Sequence, residues 1–280
     1  MTQLAAAILL WGILVLVPLG IHRLVCSIRG VPRLLDGRPF SPVLSLAGLS
    51  AAVAFLFPQG SWSAALFVTP WMLVTWFLAL TGIRWYRTSR GHTHDQLCAL
   101  VGLLFISIGG TFTMLSRCGY KPLEFSDQIV LLTAVHFHYA GFVLPVIAAL
   151  ILCRTNSPFN ACIMVAIVVG IPLVAVGISF LPLVEVVAAI GLGLGCSMLA
   201  GLQLFMALAS SHPMRLTLLG ISSVSLLTAM VLAIIYAIGE FVEIKWIEIA
   251  VMIPTHGLAN AIGFSFCGLL GHGLPAERKR

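Results

Sequence analysis

Charge is what this chain has least of. Only 9% of its 280 residues are Asp, Glu, Lys or Arg, whereas a soluble domain is about one quarter charged. A water-exposed globular surface cannot be built from so little. Strand-like alternation of apolar and polar residues is also missing, which argues against a membrane β-barrel. The seven cysteines contain no Cys-x-x-Cys and no Cys-x-x-Cys-His, so zinc-ribbon and covalent-haem signatures are absent. They read as small apolar packing residues. Met1-Thr-Gln-Leu lacks a basic leader and no Ala-x-Ala follows before His22-Arg23, so the first apolar stretch is expected to be an uncleaved helix rather than a signal peptide.

What is present is hydrocarbon. Apolar residues make up 60% of the chain and mean hydropathy is +1.09. They fall in long runs able to cross a core of about 30 Å. Without water to satisfy the backbone, each run must be helical. Nine spans are expected: Leu4–Ile21, Pro42–Phe57, Ser63–Ile83, Leu97–Ser116, Ile129–Cys153, Pro158–Phe180, Pro182–Leu208, Thr217–Ile238 and Trp246–Leu270. The second is short, and Pro145 and Pro172 mark expected kinks in the fifth and sixth. The fold class is therefore all-α, a polytopic transmembrane bundle. The loops are too short for a soluble domain, so residues 1–280 read as one transmembrane domain.

The sparse charges are unevenly placed. Arg23, Arg29, Arg33, Arg38, Arg84, Arg87, Arg90, Arg154, Arg215, Arg278, Lys279 and Arg280 fall on one side of a nine-span chain, twelve of the fifteen basic residues. Arg117, Lys121 and Lys245 share the other side with Glu124, Asp127, Glu185, Glu240, Glu243 and Glu248. The positive-inside rule puts the N-terminus outside and the C-terminus in the cytoplasm, as for a multi-pass protein of a bacterial inner membrane. The net charge of +6 then serves orientation and contact with anionic headgroups, not nucleic-acid binding. Trp85 and Tyr86 beside Arg84 and Arg87 read as interface anchors.

Three histidines interrupt the apolar runs: His136 and His138 in Leu131-Leu-Thr-Ala-Val-His-Phe-His-Tyr-Ala-Gly-Phe142, and His256 in Met252-Ile-Pro-Thr-His-Gly-Leu-Ala-Asn-Ala-Ile-Gly-Phe264. Ionisable groups in a membrane helix are costly and face packed interiors or water-filled paths. With both helices running inward, His136 and His138 lie roughly 10 and 13 Å from the outer start of the fifth span, and His256 about 13 Å into the ninth. Equal depth makes a shared site conceivable if the two helices pack together. His136 and His138 are rotated about 200° apart, so both cannot face one metal on a regular helix. Thr133, His136 and Tyr139 or Ala140 form one stripe; His138, Gly141 and Pro145 form another. His256 and Asn260 share a face, with Gly263 one turn on, suited to close interhelical hydrogen bonding.

Other polar groups are read conservatively. Glu240 and Glu243, with Tyr236, form a solvated outer helix end or an acidic vestibule above the histidines. Asp127 is expected to cap the fifth span, and Glu185 suits the first turn of the seventh. Gly191-x-Gly-x-Gly lies in a membrane helix, not after a strand, so it is no dinucleotide fingerprint. Ser222, Ser223, Ser225 and Thr228 are expected to bond back within their own helix.

His136-Phe-His-Tyr-Ala-Gly-Phe142, Tyr236-Ala-Ile-Gly-Glu-Phe241 and Thr255-His-Gly-Leu-Ala-Asn-Ala-Ile-Gly-Phe264 resemble segments of the YndJ-like family of bacterial membrane proteins, a resemblance running through most of the chain. It implies a polytopic bacterial membrane protein and carries over no activity. His272 stands where the resemblance leads one to expect an aromatic residue, and some members extend further past the last span, so no role of such an extension carries over. Three function classes remain. The first binds or transports a metal ion, proton or small polar solute at His136, His138 and His256, supported by Asn260, Tyr139, Glu240 and Glu243. The second is a membrane oxidoreductase or other enzyme with a histidine-ligated metal or haem. The third is a non-catalytic scaffold. The first has the edge, because no nucleophile–base–acid set is visible; against a metal, no carboxylate shares the histidine stripe.

Overall fold

The computed structural model describes residues 2–37, 40–89 and 91–275. Arg38, Arg90, Arg278, Lys279 and Arg280, used above to orient the chain, lie outside the described residues. Those described form helices and no strand. The long helices are α1 (Thr2–Ser27), α2 (Phe40–Ala54), α3 (Trp62–Thr88), α4 (His94–Cys118), α5 (Asp127–Leu152), α6 (Asn160–Phe180), α7 (Pro182–Leu208), α8 (Pro213–Phe241) and α9 (Ile249–His272). Eight are long and apolar enough to cross a membrane. The exception is α2, whose 15 residues reach only about 22 Å. That is short of the hydrocarbon thickness.

Local chemistry sets the helix ends. Ser61 begins α3 by accepting from Ala64 N at 3.2 Å. Thr93 and Gln96 form a reciprocal capping box at the start of α4, whose far end turns through left-handed Gly119 (φ 70°). Ser126, not Asp127, caps α5, accepting from Ile129 N at 3.3 Å. Asp127 instead pairs with Lys121 at 2.8 Å and accepts from Gln59 Nε2 at 2.8 Å. A serine hydroxyl at the N-cap leaves the next residue free to turn its carboxylate outward.

Proline has two outcomes. Wide π-turns occupy Gly12–Leu16, Tyr139–Val143, Ile253–Gly257 and Ala259–Phe266. Three of them lie beside or around Pro18, Pro145 and Pro254, where the extra residue relieves the clash with the preceding turn. Pro70 and Pro172 sit inside unbroken α-helix.

The contacts divide the chain into two compact units, Thr2–Val146 and Ile147 onward. In the first, α3 and α4 pair as an antiparallel hairpin, α2 lies on α3, and α5 is wedged against α4 and α1. The α5 helix is the most enclosed, with 83% of its apolar window buried against 22% for α9. Trp85 is buried here rather than anchored at an interface: its indole edge faces Gly30, where a Cβ would stand 3.1 Å away. Tyr86 stacks on His92 with centroids 3.8 Å apart.

In the second unit, α6, α7, α8 and α9 pack in chain order. The α8–α9 seam is close because small residues meet: a Cβ on Gly263 would collide with Ser225, and one on Gly268 would stand 2.8 Å from Ser222 Oγ and from Ile147 Cδ1 of the last turns of α5. Glu185 lies in the first turn of α7 and is buried. Cys98, Cys196 and Cys267 are buried packing residues; Cys26, Cys153 and Cys162 are exposed, against expectation.

Candidate functional site

Complete burial makes His138 the most constrained histidine (0% exposed). Its Nδ1 lies 2.8 Å from Ala134 O, one turn back on α5. Trp71 Nε1 of α3 donates to its Nε2 at 3.1 Å, with the rings 15° from parallel. A carbonyl only accepts and an indole N–H only donates. Hence Nδ1 carries the proton, Nε2 offers the lone pair, and the imidazole is neutral. Gly109 of α4 makes room, since a Cβ there would stand 2.8 Å from Nδ1. Binding a metal or haem iron at either nitrogen would require breaking one of these bonds.

The next residue, Tyr139, is one of the two that helical spacing offers beside His136, and the structure separates it from His136. Tyr139 is buried and its hydroxyl donates to Ile8 O of α1 at 2.7 Å. His136 is on an exposed face, its Nδ1–H donating to Leu132 O at 2.8 Å. The wedging of α5 explains the difference. One flank of the helix is claimed by α3 and α4 through His138, another by α1 through Tyr139. The π-turn Tyr139–Val143 begins at this branch point.

In the second unit, His256 lies inside the π-turn Ile253–Gly257 and Asn260 inside Ala259–Phe266. Both are half-buried. His256 Nδ1–H donates to Ala229 O of α8 at 2.9 Å. Asn260 Nδ2 donates to His256 Nε2 at 3.1 Å and to His256 O at 3.0 Å. The expected stripe of His256, Asn260 and Gly263 is therefore real, and within this unit it faces α8. His136 and His138 belong to the first unit, His256 and Asn260 to the second.

The second unit also holds a polar chain that the sequence reading missed. Arg154 Nη1 donates to His272 Nδ1 at 3.1 Å. His272 Nε2–H donates to Gln203 Oε1 at 3.1 Å. Gln203 Nε2 donates to Ser222 Oγ at 2.8 Å, and Ser222 Oγ donates to Phe264 O at 2.8 Å. Every donor points the same way, an arrangement in which each bond polarises the next. Ser222 thus bonds across the seam rather than within its helix, because α9 presents a carbonyl at contact distance. Ser223 and Thr228 do bond back, to Leu219 O and Val224 O. Gln203, an amide in the apolar second half of α7, was the available signal.

The acidic residues stay at the edge. Glu240 and Glu243 are exposed where α8 ends, with Glu243 in the left-handed region (φ 58°), which fits a solvated helix end. Among the described residues, no group of three or more His, Cys, Asp or Glu is arranged to hold a metal ion.

These helices and signature segments can now be set against known proteins. The YndJ-like protein family matches residues 7–264. This chain belongs to the YndJ-like family. A Bacillus subtilis (strain 168) protein described as "Uncharacterized membrane protein YndJ" is 28% identical over 207 residues, 73% of this chain. The match covers only 38% of that relative's length. No solved structure matches the chain. Family membership and the eight long apolar helices together make this a multi-pass membrane protein.

Proposed function

We propose that this YndJ-like protein is a non-enzymatic membrane protein that binds or passes a small polar solute or a proton at His256 and Asn260, with His138 and Tyr139 holding the fold around α5. One observation carries this reading: His256 and Asn260 stand, half-buried, on consecutive π-turns of the least enclosed helix. Such turns occur often at functional sites, and intramembrane imidazoles are functional candidates by default. The partner chemistry supports it as well. Asn260 can rotate its amide to offer oxygen instead of N–H, so His256 can exchange a bond donor for an acceptor. Trp71 gives His138 no such choice. His136, on its exposed face, belongs to the binding set in this reading. A metal is not the proposed ligand, since among the described residues no third ligating side chain joins them.

The test uses the protein in proteoliposomes with an internal pH-sensitive dye. His256→Gln and Asn260→Ala should reduce proton uptake under an imposed potential, while His138→Gln should leave the rate per folded molecule unchanged. Equal uptake by all variants and by empty liposomes would remove the proton reading. A Soret band in the purified protein would instead favour a haem enzyme. The second reading is a scaffold, favoured by the partners that both His256 nitrogens find within their own unit.

We also propose an outside N-terminus and a cytoplasmic C-terminus in a bacterial inner membrane, on the twelve-to-three basic bias. Reporters fused at the two termini should fall on opposite sides. If both fall on the same side, the nine-span reading is wrong and one segment does not cross, the short α2 being the first candidate.

A further inference from the structure

We infer that Ser225 is a third residue of the site at His256 and Asn260, and that this site passes a small neutral solute carrying both a hydrogen-bond donor and an acceptor, an amide or a polyol. The inference rests on the binding reading given above and narrows it. A serine or threonine inside an apolar helix ordinarily donates to the carbonyl one turn back. Ser197, Ser223 and Thr228 of this unit do so, to Gly193 O, Leu219 O and Val224 O. Ser222 instead crosses the seam to Phe264 O at 2.8 Å. Ser225 does neither. It is half-buried, and its Oγ is turned onto Gly263 of α9, where any Cβ would collide with it. Among the described residues its hydroxyl has no hydrogen-bond partner. Asn260 holds a second unused group: its Nδ2 donates twice to His256, while its Oδ1 accepts from none of the described residues.

Two contacts fix the register of the seam. His256 Nδ1 meets Ala229 O at 2.9 Å, and Gly263 meets Ser225. Ala229 and Ser225 are one turn apart on α8, roughly 6 Å, and Asn260 falls between His256 and Gly263 on α9. The unused hydroxyl therefore opens on the seam one turn from the carbonyl that anchors the imidazole. Ser225, His256, Asn260 and Gly263 are all half-buried, so a solute can reach them. Unpaired polar groups in hydrocarbon are costly, and a molecule that both donates and accepts satisfies the two together. A charged solute finds no counterpart here. From Ile249 to His272, α9 has no Asp, Glu, Lys or Arg. On α8 the nearest are Arg215 and Glu240, roughly 15 and 22 Å from Ser225 by helical rise. There is none in α6, and α7 has only Glu185, in its first turn. An ion at this depth would stand unpaired; a neutral solute needs only the hydroxyl and the amide.

The experiment follows proteoliposomes of the full chain by light scattering after an osmotic step with urea or with glycerol, beside the dye-reported proton uptake described above. Wild-type liposomes should pass at least one of the two solutes faster than empty ones. Ser225→Ala removes no hydrogen bond of the folded protein, so folded yield should be unchanged. It should nevertheless slow that flux by about fivefold, the loss of one neutral hydrogen bond. Ser265→Ala is the control: this serine is also on α9 and also unpartnered, but 0% exposed, and its loss should leave the flux as it is. The inference is overturned if neither solute outpaces empty liposomes, or if Ser225→Ala behaves like wild type or like Ser265→Ala. Should neither solute pass while His256→Gln still lowers proton uptake, the reading at His256 stands and this inference alone falls. Should the wild type carry no protons either, both fall.

Discussion

His138 and His256 are both intramembrane imidazoles that donate from Nδ1 to a carbonyl and accept at Nε2, yet their surroundings make them different devices. His138 bonds back to its own helix and accepts from the indole of Trp71 on another, within a fully buried contact. His256 does the reverse, donating across to α8 and accepting from Asn260 on its own helix, half-buried. A donor-only partner fixes one tautomer; an amide that offers either face does not. The difference lies less in the histidine than in what its neighbour can do.

The strongest way to break the comparison is to crowd the locked site. Gly109→Val places carbon where the His138 ring stands, and neither α4 nor the buried imidazole has room to yield. Folded yield in detergent should collapse, read by size-exclusion chromatography. A normal monodisperse peak would show that His138 can leave its pocket.

Next in size is loss of the His138–Trp71 bond. His138→Leu strands a buried indole N–H and should cost about 1–3 kcal/mol, seen as a lowered unfolding midpoint. Trp71→Phe combined with His138→Leu should cost less than the sum of the singles, since the second change removes the stranded donor. Strict additivity would mean that the bond contributes nothing.

A smaller effect is expected at the seam. Ser222→Ala removes the link from Gln203 to Phe264 O and should cost about 0.6 kcal/mol, up to about 1.7, the range for interhelical hydrogen bonds in membranes. Asn260→Ala should cost the least, because the residue is half-buried and bonds only within α9. If Asn260→Ala destabilises more than His138→Leu, the locked and adaptable assignments must be exchanged.

Much of this was readable beforehand. Membrane spans and the shortness of α2 follow from hydropathy and helix length. Helical spacing also put His256, Asn260 and Gly263 on one face. It left Tyr139 and Ala140 as alternatives beside His136, of which Tyr139 turns to α1, and it failed at Asp127, displaced as a cap by Ser126. It also gave no hint that Trp71 would meet His138 or that Gln203 would meet His272, since those pairs join residues far apart in the chain.

The sequence by itself therefore determined that this chain is helical and membrane-spanning, because an unpaired backbone in lipid has no alternative and apolar length is a local property. Only the tertiary structure decided which histidine is locked, where the π-turns open, and that Arg154, His272, Gln203 and Ser222 join in one chain of hydrogen bonds. Those outcomes depend on which helix lies alongside which, and hydrogen-bond partners across helices leave no periodic trace in either strand of the pairing.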